Sequence, residues 1–369
     1  MAHERERRTL FVDADHDRIA SYLAARHTGR LPGTEKRSRN GRARPRVAHD
    51  ELDAGEIIQS NEHLQRNPHD LPARVVRVGR NSAWVVLDAE ERPRLASLRR
   101  KGEKMQAMLA PGDYVEVRIL EDESVVVERV RARSFTLERR TVTGRTKTMA
   151  ANVDTIAVVA ALTDPPVRLS MIDQLIAFAE LQELNALLLL TKVDLTDGRV
   201  AAEIQALYSR LEYRTLIIQP KMGAGIDALR EALHGSHALL VGQSGVGKSS
   251  IFRALGGTTE VGEVSRLGRG RQTTTAARLF RLADGFLIDS PGVGAFELGE
   301  IAPRELAEAF VEIAPLSPRC RFRDCAHLAE PGCAVREAAE AGAVAPSRYE
   351  SYRLILARAD PLSAYGEAT

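Results

Sequence analysis

No apolar run in this 369-residue chain approaches the roughly 18 residues that a membrane-spanning helix needs, so the expectation is a soluble protein with no membrane partner. The opening stretch from Met1 to Arg8 is charged and is not followed by the apolar core of a secretory signal, which leaves the cytoplasm as the expected compartment. No long internal repeat is present. A net excess of one charge sign is also missing: the formal total is +2. That total averages over three local clusters. Residues 30–46 carry Arg30, Lys36, Arg37, Arg39, Arg42, Arg44 and Arg46 against one acid, Glu35. Arg129, Arg131, Arg133, Arg139, Arg140, Arg145 and Lys147 form a second cluster, and Arg266, Arg269, Arg271, Arg278 and Arg281 a third with no acid between them. Each is either a solvated charged face or a phosphate-backbone contact, and three on a nearly neutral chain favour nucleic acid.

The length exceeds the usual ~100–200 residues of one domain, so two or three are expected. Residues 1–70 are charge-rich and broken by Gly29, Pro32, Gly33, Gly41 and Pro45, and read as a basic extension with one possible helix near Arg18–Arg26. From position 71 to 135 the pattern changes to short β-rich runs at Arg74–Val78, Ala83–Leu87, Tyr114–Ile119 and Val125–Val130. Val115, Val117 and Ile119 alternate with Glu116 and Arg118, giving one dry and one wet face, as in a small OB-like barrel of about five strands. Residues 136–150 read as a basic linker. Buried strands at Thr155–Leu162, Ala186–Leu190, Arg214–Ile218, His237–Val241 and Phe286–Ile288, with a helical pattern over Met171–Leu184, then predict a mostly parallel α/β domain over 151–300. Residues 301–369 turn helical around a cysteine-containing loop, and Tyr349, Tyr352 and Ile355 have the spacing of a packed helix face.

Residues Gly242, Gln243, Ser244, Gly245, Val246, Gly247, Lys248 and Ser249, with Ser250 following, match the phosphate-loop pattern G-x-x-x-x-G-K-[ST]. The match lies between a predicted buried strand and a predicted helix, so backbone N–H groups and the helix dipole converge on phosphates there. Lys248 is expected to reach the β and γ phosphates and Ser249 to ligate Mg²⁺. Asp289 and Gly292, in Asp289-Ser-Pro-Gly292, follow the strand ending at Ile288; Asp289 can hold the magnesium shell and the Gly292 N–H can sense the γ-phosphate. Of Thr273, Thr274 and Thr275 between these elements, Thr274 is the preferred Mg²⁺-binding hydroxyl. Thr191, Lys192, Val193 and Asp194 resemble the guanine-reading N-K-x-D element, with Thr in place of Asn. A base reader at 191 ahead of a phosphate loop at 242 reverses the usual order and implies a circularly permuted domain.

All three cysteines fall in one segment, Cys320, Cys325 and Cys333, together with His327. Three thiolates and an imidazole suffice for one closed, structural tetrahedral Zn²⁺ site, and a reducing cytosol disfavours the disulfide alternative.

These motifs, with Ala150-Ala-Asn-Val-Asp154, Thr273-Thr-Thr-Ala-Ala-Arg-Leu279, Asp289-Ser-Pro-Gly-Val293 and Cys320-Arg-Phe-Arg-Asp-Cys325, resemble the ribosome small-subunit-dependent GTPase A family over about residues 71–360. The resemblance implies a circularly permuted P-loop GTPase domain between an N-terminal OB-like barrel and a C-terminal helical zinc-binding module. It implies a monomer that hydrolyses GTP to GDP and phosphate during late maturation of the small ribosomal subunit, is stimulated by that subunit, and contacts its rRNA through barrel and zinc module. Three positions depart from the family: Thr191, Gln219-Pro220 where Ser-Ala is usual beside the base, and Gln272 where His is usual. Val293 cannot orient a water, so Gln272 is expected either to take that catalytic task or to contact rRNA. Two rival readings remain open: an rRNA-binding assembly factor with incidental hydrolysis, and an ATP-dependent P-loop enzyme, against which the 191–194 element speaks.

Overall fold

The computed structural model describes residues 69–359 apart from 80, 89, 91, 99–108, 141–145, 197, 257–277, 283 and 290–300. The basic extension up to residue 68, the helix expected near Arg18–Arg26 and the first basic cluster lie outside the described residues, as do Arg266, Arg269 and Arg271 of the third.

Five strands close a barrel: β1 (Leu71–Val78), β2 (Ser82–Leu87), β3 (Arg94–Leu98), β4 (Tyr114–Ile119) and β5 (Val125–Val130). Their order is β1-β2-β3-β5-β4, with β3 parallel to β5 and every other pairing antiparallel. Val75, Val85, Ala96, Val115, Val117 and Val127 fill the interior. Closure removes the exposed edges that five short strands would otherwise leave. β3 has no counterpart among the sequence-predicted runs, because Arg-Leu-Ala-Ser-Leu is short and has only Ala96 fully buried.

The stretch expected to be a basic linker is instead an antiparallel hairpin, β6 (Thr136–Arg140) and β7 (Thr146–Ala151). It is held to the barrel by polar groups. Arg133 donates to both carboxylate oxygens of the fully buried Asp113, at 2.6 and 2.8 Å, and the Asp113 carboxylate also accepts from the Ala110 N–H at 2.8 Å. Asn152 donates to the Gly112 carbonyl at 3.0 Å and accepts from the Ser134 N–H at 2.9 Å. Gly112 has a left-handed φ of 94°, and a Cβ there would meet the Ala151 carbonyl oxygen at 2.1 Å, so the two backbones can approach only through glycine. Arginines of the second basic cluster are therefore partly committed to ion pairs: Arg133 to Asp113, and Arg129 and Arg131 to Glu116.

The main sheet holds β8 (Thr155–Ala161), β9 (Asn185–Thr191), β10 (Arg214–Ile218), β11 (His237–Val241), β12 (Arg278–Leu282) and β13 (Gly285–Asp289), in the order β10-β9-β8-β11-β13-β12. All pairings are parallel except β12 with β13. Ile156, Val158 and Ala160 face one core while Ala157, Val159 and Ala161 face another, so β8 is apolar throughout because both sheet faces are covered. Helices α1 (Leu169–Leu181), α2 (Arg199–Arg210), α3 (Ile226–Ala232) and α4 (Lys248–Ala254) alternate with these strands. β12 places Arg281 of the third basic cluster against the barrel, where its guanidinium donates to the carbonyls of Glu90 (3.1 Å) and Asp88 (3.3 Å).

The C-terminal module contains α5 (Pro303–Glu308), α6 (Ala334–Ala341) and α7 (Pro346–Ala359). Tyr352 and Ile355 are buried on the inner face of α7, and Tyr349 packs beside them. Arg348, fully buried, is held by Glu312 at 2.6 and 3.0 Å and by Asp173 of α1 at 2.6 Å. The Tyr208 hydroxyl of α2 donates to the same Asp173 oxygen at 2.5 Å. No helix among the described residues is long and apolar enough to cross a membrane.

Candidate functional site

Parallel strands place their carboxyl ends on one edge of the sheet, and here β9, β8, β11 and β13 end along it in that order, three of them at Thr191, Val241 and Asp289. The chain runs outward from β8 through β9 to β10, then returns to the other side of β8 with β11, so the crevice between β8 and β11 is the topological switch point where α/β sheets bind ligands. The phosphate-loop motif occupies that point. Gly242 leaves β11 with φ 145°, and a Cβ on it would stand 2.2 Å from the Val159 carbonyl oxygen of β8. Gly245 and Gly247 also have left-handed φ, and Gly247 caps the start of α4. The result is a backbone cradle that opens straight into a helix N-terminus, the arrangement that suits a phosphate.

Lys248 folds back along this loop and donates to the carbonyls of Gly242 and Gln243, both at 2.7 Å. Burial lowers its pKa and the nearby Asp289 carboxylate opposes that shift, so a cation waits in a half-dry pocket facing the loop. The Ser249 hydroxyl lies 3.3 Å from Asp289 Oδ2. A neutral hydroxyl beside a buried carboxylate, next to a phosphate cradle, is a donor set that fits Mg²⁺. Gln272, Thr274 and Gly292 lie outside the described residues.

The base-reading element sits directly alongside. Thr191 is buried and its hydroxyl donates to the Val246 carbonyl of the phosphate loop at 2.6 Å, so the shorter residue still ties the two loops together. Lys192 follows in a left-handed conformation and Val193–Leu195 form a 3-10 turn that carries Asp194. Gln219, at the end of β10, pairs with Ala224 next to this turn. One wall was not anticipated from the sequence: the loop after β8, where the Asp164 carbonyl accepts from the Lys192 ammonium and Pro165 faces Gly245. Its signal was Asp164-Pro-Pro166 immediately after a buried strand, the punctuation of a shaped turn.

The second cluster lies in the C-terminal module. Ligand atoms of Cys320, Cys325, His327 and Cys333 all fall within 4.8 Å of one another. Cys320 Sγ and Cys333 Sγ are 4.0 Å apart, and His327 Nδ1 is 3.4 and 3.5 Å from them. A tetrahedral Zn²⁺ with ~2.3 Å bonds to sulfur needs sulfur atoms roughly 3.8 Å apart, so the set fits. Burial lowers the pKa of His327, favouring the neutral, ligating imidazole, while its Nε2 lies 3.1 Å from the Ser317 hydroxyl, which fixes the ring. Burial pushes the Cys325 thiol up to about 12 and raises that of Cys333; a cation at the centre is what would favour thiolates there. Glu330 organises the loop by accepting from the N–H groups of Ala326, Leu328 and Ala329 at 2.7, 2.9 and 3.0 Å.

A phosphate cradle, a hydroxyl and a carboxylate beside it, and the Thr191–Asp194 turn that precedes them in the chain are the arrangement of a circularly permuted P-loop GTPase. A family model described as RsgA GTPase matches residues 130–299. A small ribosomal subunit biogenesis GTPase RsgA of Moorella thermoacetica is 36% identical over 282 residues, covering 75% of this chain and 94% of that protein. The protein of the same name from Sodalis glossinidius is 40% identical over 241 residues, covering 63% of this chain and 70% of the relative. Among solved structures, YjeQ from Thermotoga maritima is 32% identical with a TM-score of 0.63, covering 79% of this chain and 98% of that one. YloQ, described as a circularly permuted GTPase, shares the fold at 22% identity with a TM-score of 0.60 over 80% of this chain and 96% of its own. The chain belongs to the RsgA GTPase family and is a GTP hydrolase.

Proposed function

We propose that this GTPase acts in maturation of the small ribosomal subunit, binding its rRNA and hydrolysing GTP slowly until the subunit completes the site. The observation that carries this reading is the 36% identity extending over 94% of a relative named for small-subunit biogenesis, with barrel, GTPase domain and zinc module all present in this chain. The protein works as a cytoplasmic monomer and contacts rRNA through barrel and zinc module, where Arg319, Arg321 and Arg323 flank the exposed Phe322.

In this reading Lys248 neutralises charge developing on the β and γ phosphates, and the backbone N–H groups from Gly242 to Ser250 hold the phosphate chain. Ser249 and Thr274 would be the hydroxyl ligands of the Mg²⁺ that accompanies GTP and Asp289 would anchor its water shell, the metal supplying neutralisation of phosphate charge. Gly292 senses the γ-phosphate, and Gln272 orients the attacking water once the subunit is bound. Thr191 braces the phosphate loop while Lys192, Val193 and Asp194 hold guanine. Cys320, Cys325, His327 and Cys333 hold one structural Zn²⁺, which leaves no open position for chemistry.

The test is GTP hydrolysis by the purified protein with Mg²⁺, alone and with isolated small subunits, using Lys248→Ala as the blank. Strong stimulation absent from the blank supports the reading. Subunit binding without stimulation sinks it in favour of a nucleotide-gated assembly factor.

A further inference from the structure

The barrel meets the GTPase sheet at the end opposite the nucleotide loop, and a cleft of about 290 Å³ lies between them. A continuous stack forms its wall. The guanidinium carbon of Arg74 (β1) sits 3.6 Å from the Tyr114 ring centroid (β4) and 4.3 Å from that of Phe286 (β13). His237, the first residue of β11, stacks on Phe286 at 4.3 Å and 21°. Sandwiched in this way, Arg74 has Nη1 fully buried with no hydrogen-bond partner among the described residues. Arg74 as a whole is half-buried; Arg133 and Arg348, whose side chains are more deeply buried, are each met by carboxylates. Burial lowers the pKa of Arg74, with Tyr114 and the Asp88 charge opposing that shift, and the same guanidinium also lines the cleft, where its accessible edge can meet an acceptor supplied from outside.

Across the cleft stands Arg281, exposed and anchored through two backbone carbonyls, so its charge is not neutralised by that anchoring. Two carboxylates also line the cleft, both exposed: Asp88, and Asp284, whose Oδ2 is 3.0 Å from His234 Nε2. Two arginines against two aspartates leave the lining near neutrality, which disfavours a polyphosphate; a single phosphate would be held there by directed guanidinium hydrogen bonds rather than by net charge. Burial, and then Arg74, hold His237 toward its neutral form.

We propose that this interdomain cleft is a second anion site, distinct from the nucleotide loop, that takes a single phosphate group between Arg74 and Arg281. Arg74 lines the inner wall and Arg281 the same cleft, so an occupant would meet the accessible edges of both guanidinium groups, whose planar donors match phosphate oxygens in a way lysines would not. The same chemistry is offered by a free phosphate monoester or by a phosphodiester of an RNA strand. Occupancy bears on the nucleotide site because Phe286 and His237 lie at the base of β13 and β11, whose far ends are Asp289 and Val241.

The reporter is built in. Trp84, the only tryptophan of the chain, lies on β2 two residues from Val86, which lines the cleft. Inorganic phosphate would be titrated into the full-length, zinc-loaded protein with GDP and Mg²⁺ saturating the phosphate loop, following Trp84 emission and heat by calorimetry. The expected result is one saturable phase, weakened at least tenfold in Arg74→Gln and several-fold in Arg281→Gln; the latter changes an exposed side chain and tests the site even where Arg74→Gln fails to fold. A short single-stranded RNA that displaces phosphate identifies a diester as the occupant, and one that does not identifies a free monoester. Absence of a saturable phase in the wild type, or equal binding in both folded variants, overturns the proposal.

Discussion

Lys248 and Thr191 carry different parts of the site and fail differently. Lys248 donates only to rim carbonyls of its own loop, so its removal leaves packing intact. Lys248→Ala should lower kcat/KM for GTP by on the order of 10²–10³-fold, the cost of one preorganised charge on the transferred phosphoryl group, with the melting temperature unchanged. Steady-state hydrolysis beside a thermal melt checks both halves. Thr191→Val keeps the shape and deletes the hydroxyl, leaving the buried Val246 carbonyl without its 2.6 Å partner. It should lose about 1–3 kcal/mol of stability by denaturant titration and bind GDP more weakly, because the strap between base reader and phosphate loop is gone. At this scale the sequence was informative where chemistry demands fixed residue types at fixed spacing, as in Gly242–Ser250. At Asp164 it offered only the punctuation of a turn, because a backbone carbonyl that accepts from Lys192 can be offered by any residue and leaves no mark in side-chain identity.

Elements were legible in proportion to how completely they are buried. β8, β9 and β11 read as strands because both their faces are dry, and their apolar runs have no helical period. The β6–β7 hairpin did not, since its Thr-, Lys- and Arg-rich residues match the composition of a linker and its attachment depends on the paired Arg133 and Asp113 and the glycine at 112. The zinc module is the reverse case, readable from four side chains. Its loop is organised by Glu330, which gathers three backbone N–H groups beside His327, while the Tyr349 and Tyr352 hydroxyls donate to the His327 and Ala326 carbonyls from α7. Treatment with a strong chelator should release one Zn²⁺ per chain and lower the melting temperature by on the order of 10 °C or more. Glu330→Gln should keep the metal but weaken it about 10–100-fold in competition with a colorimetric chelator, as expected when the frame around a ligand loosens.

At the scale of the whole molecule, the permutation turns connectivity into coupling. The chain leaves the metal-poised Asp289 and passes into the C-terminal module, and that module returns to pack α7 on α1 of the GTPase sheet. Val76 and Val86 of the barrel, Leu137 of the hairpin, Ile156 and Ile288 of the sheet and Phe310, Leu316 and Tyr352 of the C-terminal module belong to one continuous apolar cluster. Through that junction runs the Arg348, Asp173, Glu312 and Tyr208 network, which joins α7 to α1 and α2. Barrel, hairpin, sheet and C-terminal module cannot expose this shared cluster one at a time without cost, so their unfolding should be a single transition, even though the barrel interior and the second sheet face have apolar clusters of their own. Trp84 reports the barrel and release of bound fluorescent GDP reports the GTPase domain; in urea the two curves should share one midpoint. Arg348→Met strips two buried carboxylates of their cation and should cost about 3–5 kcal/mol. If the core is truly shared, that change, made in the C-terminal module, moves the Trp84 midpoint as far as the GDP midpoint. A barrel transition that stays in place while GDP release shifts would mean that the barrel folds as a separate unit and that the apolar continuity carries no cooperativity.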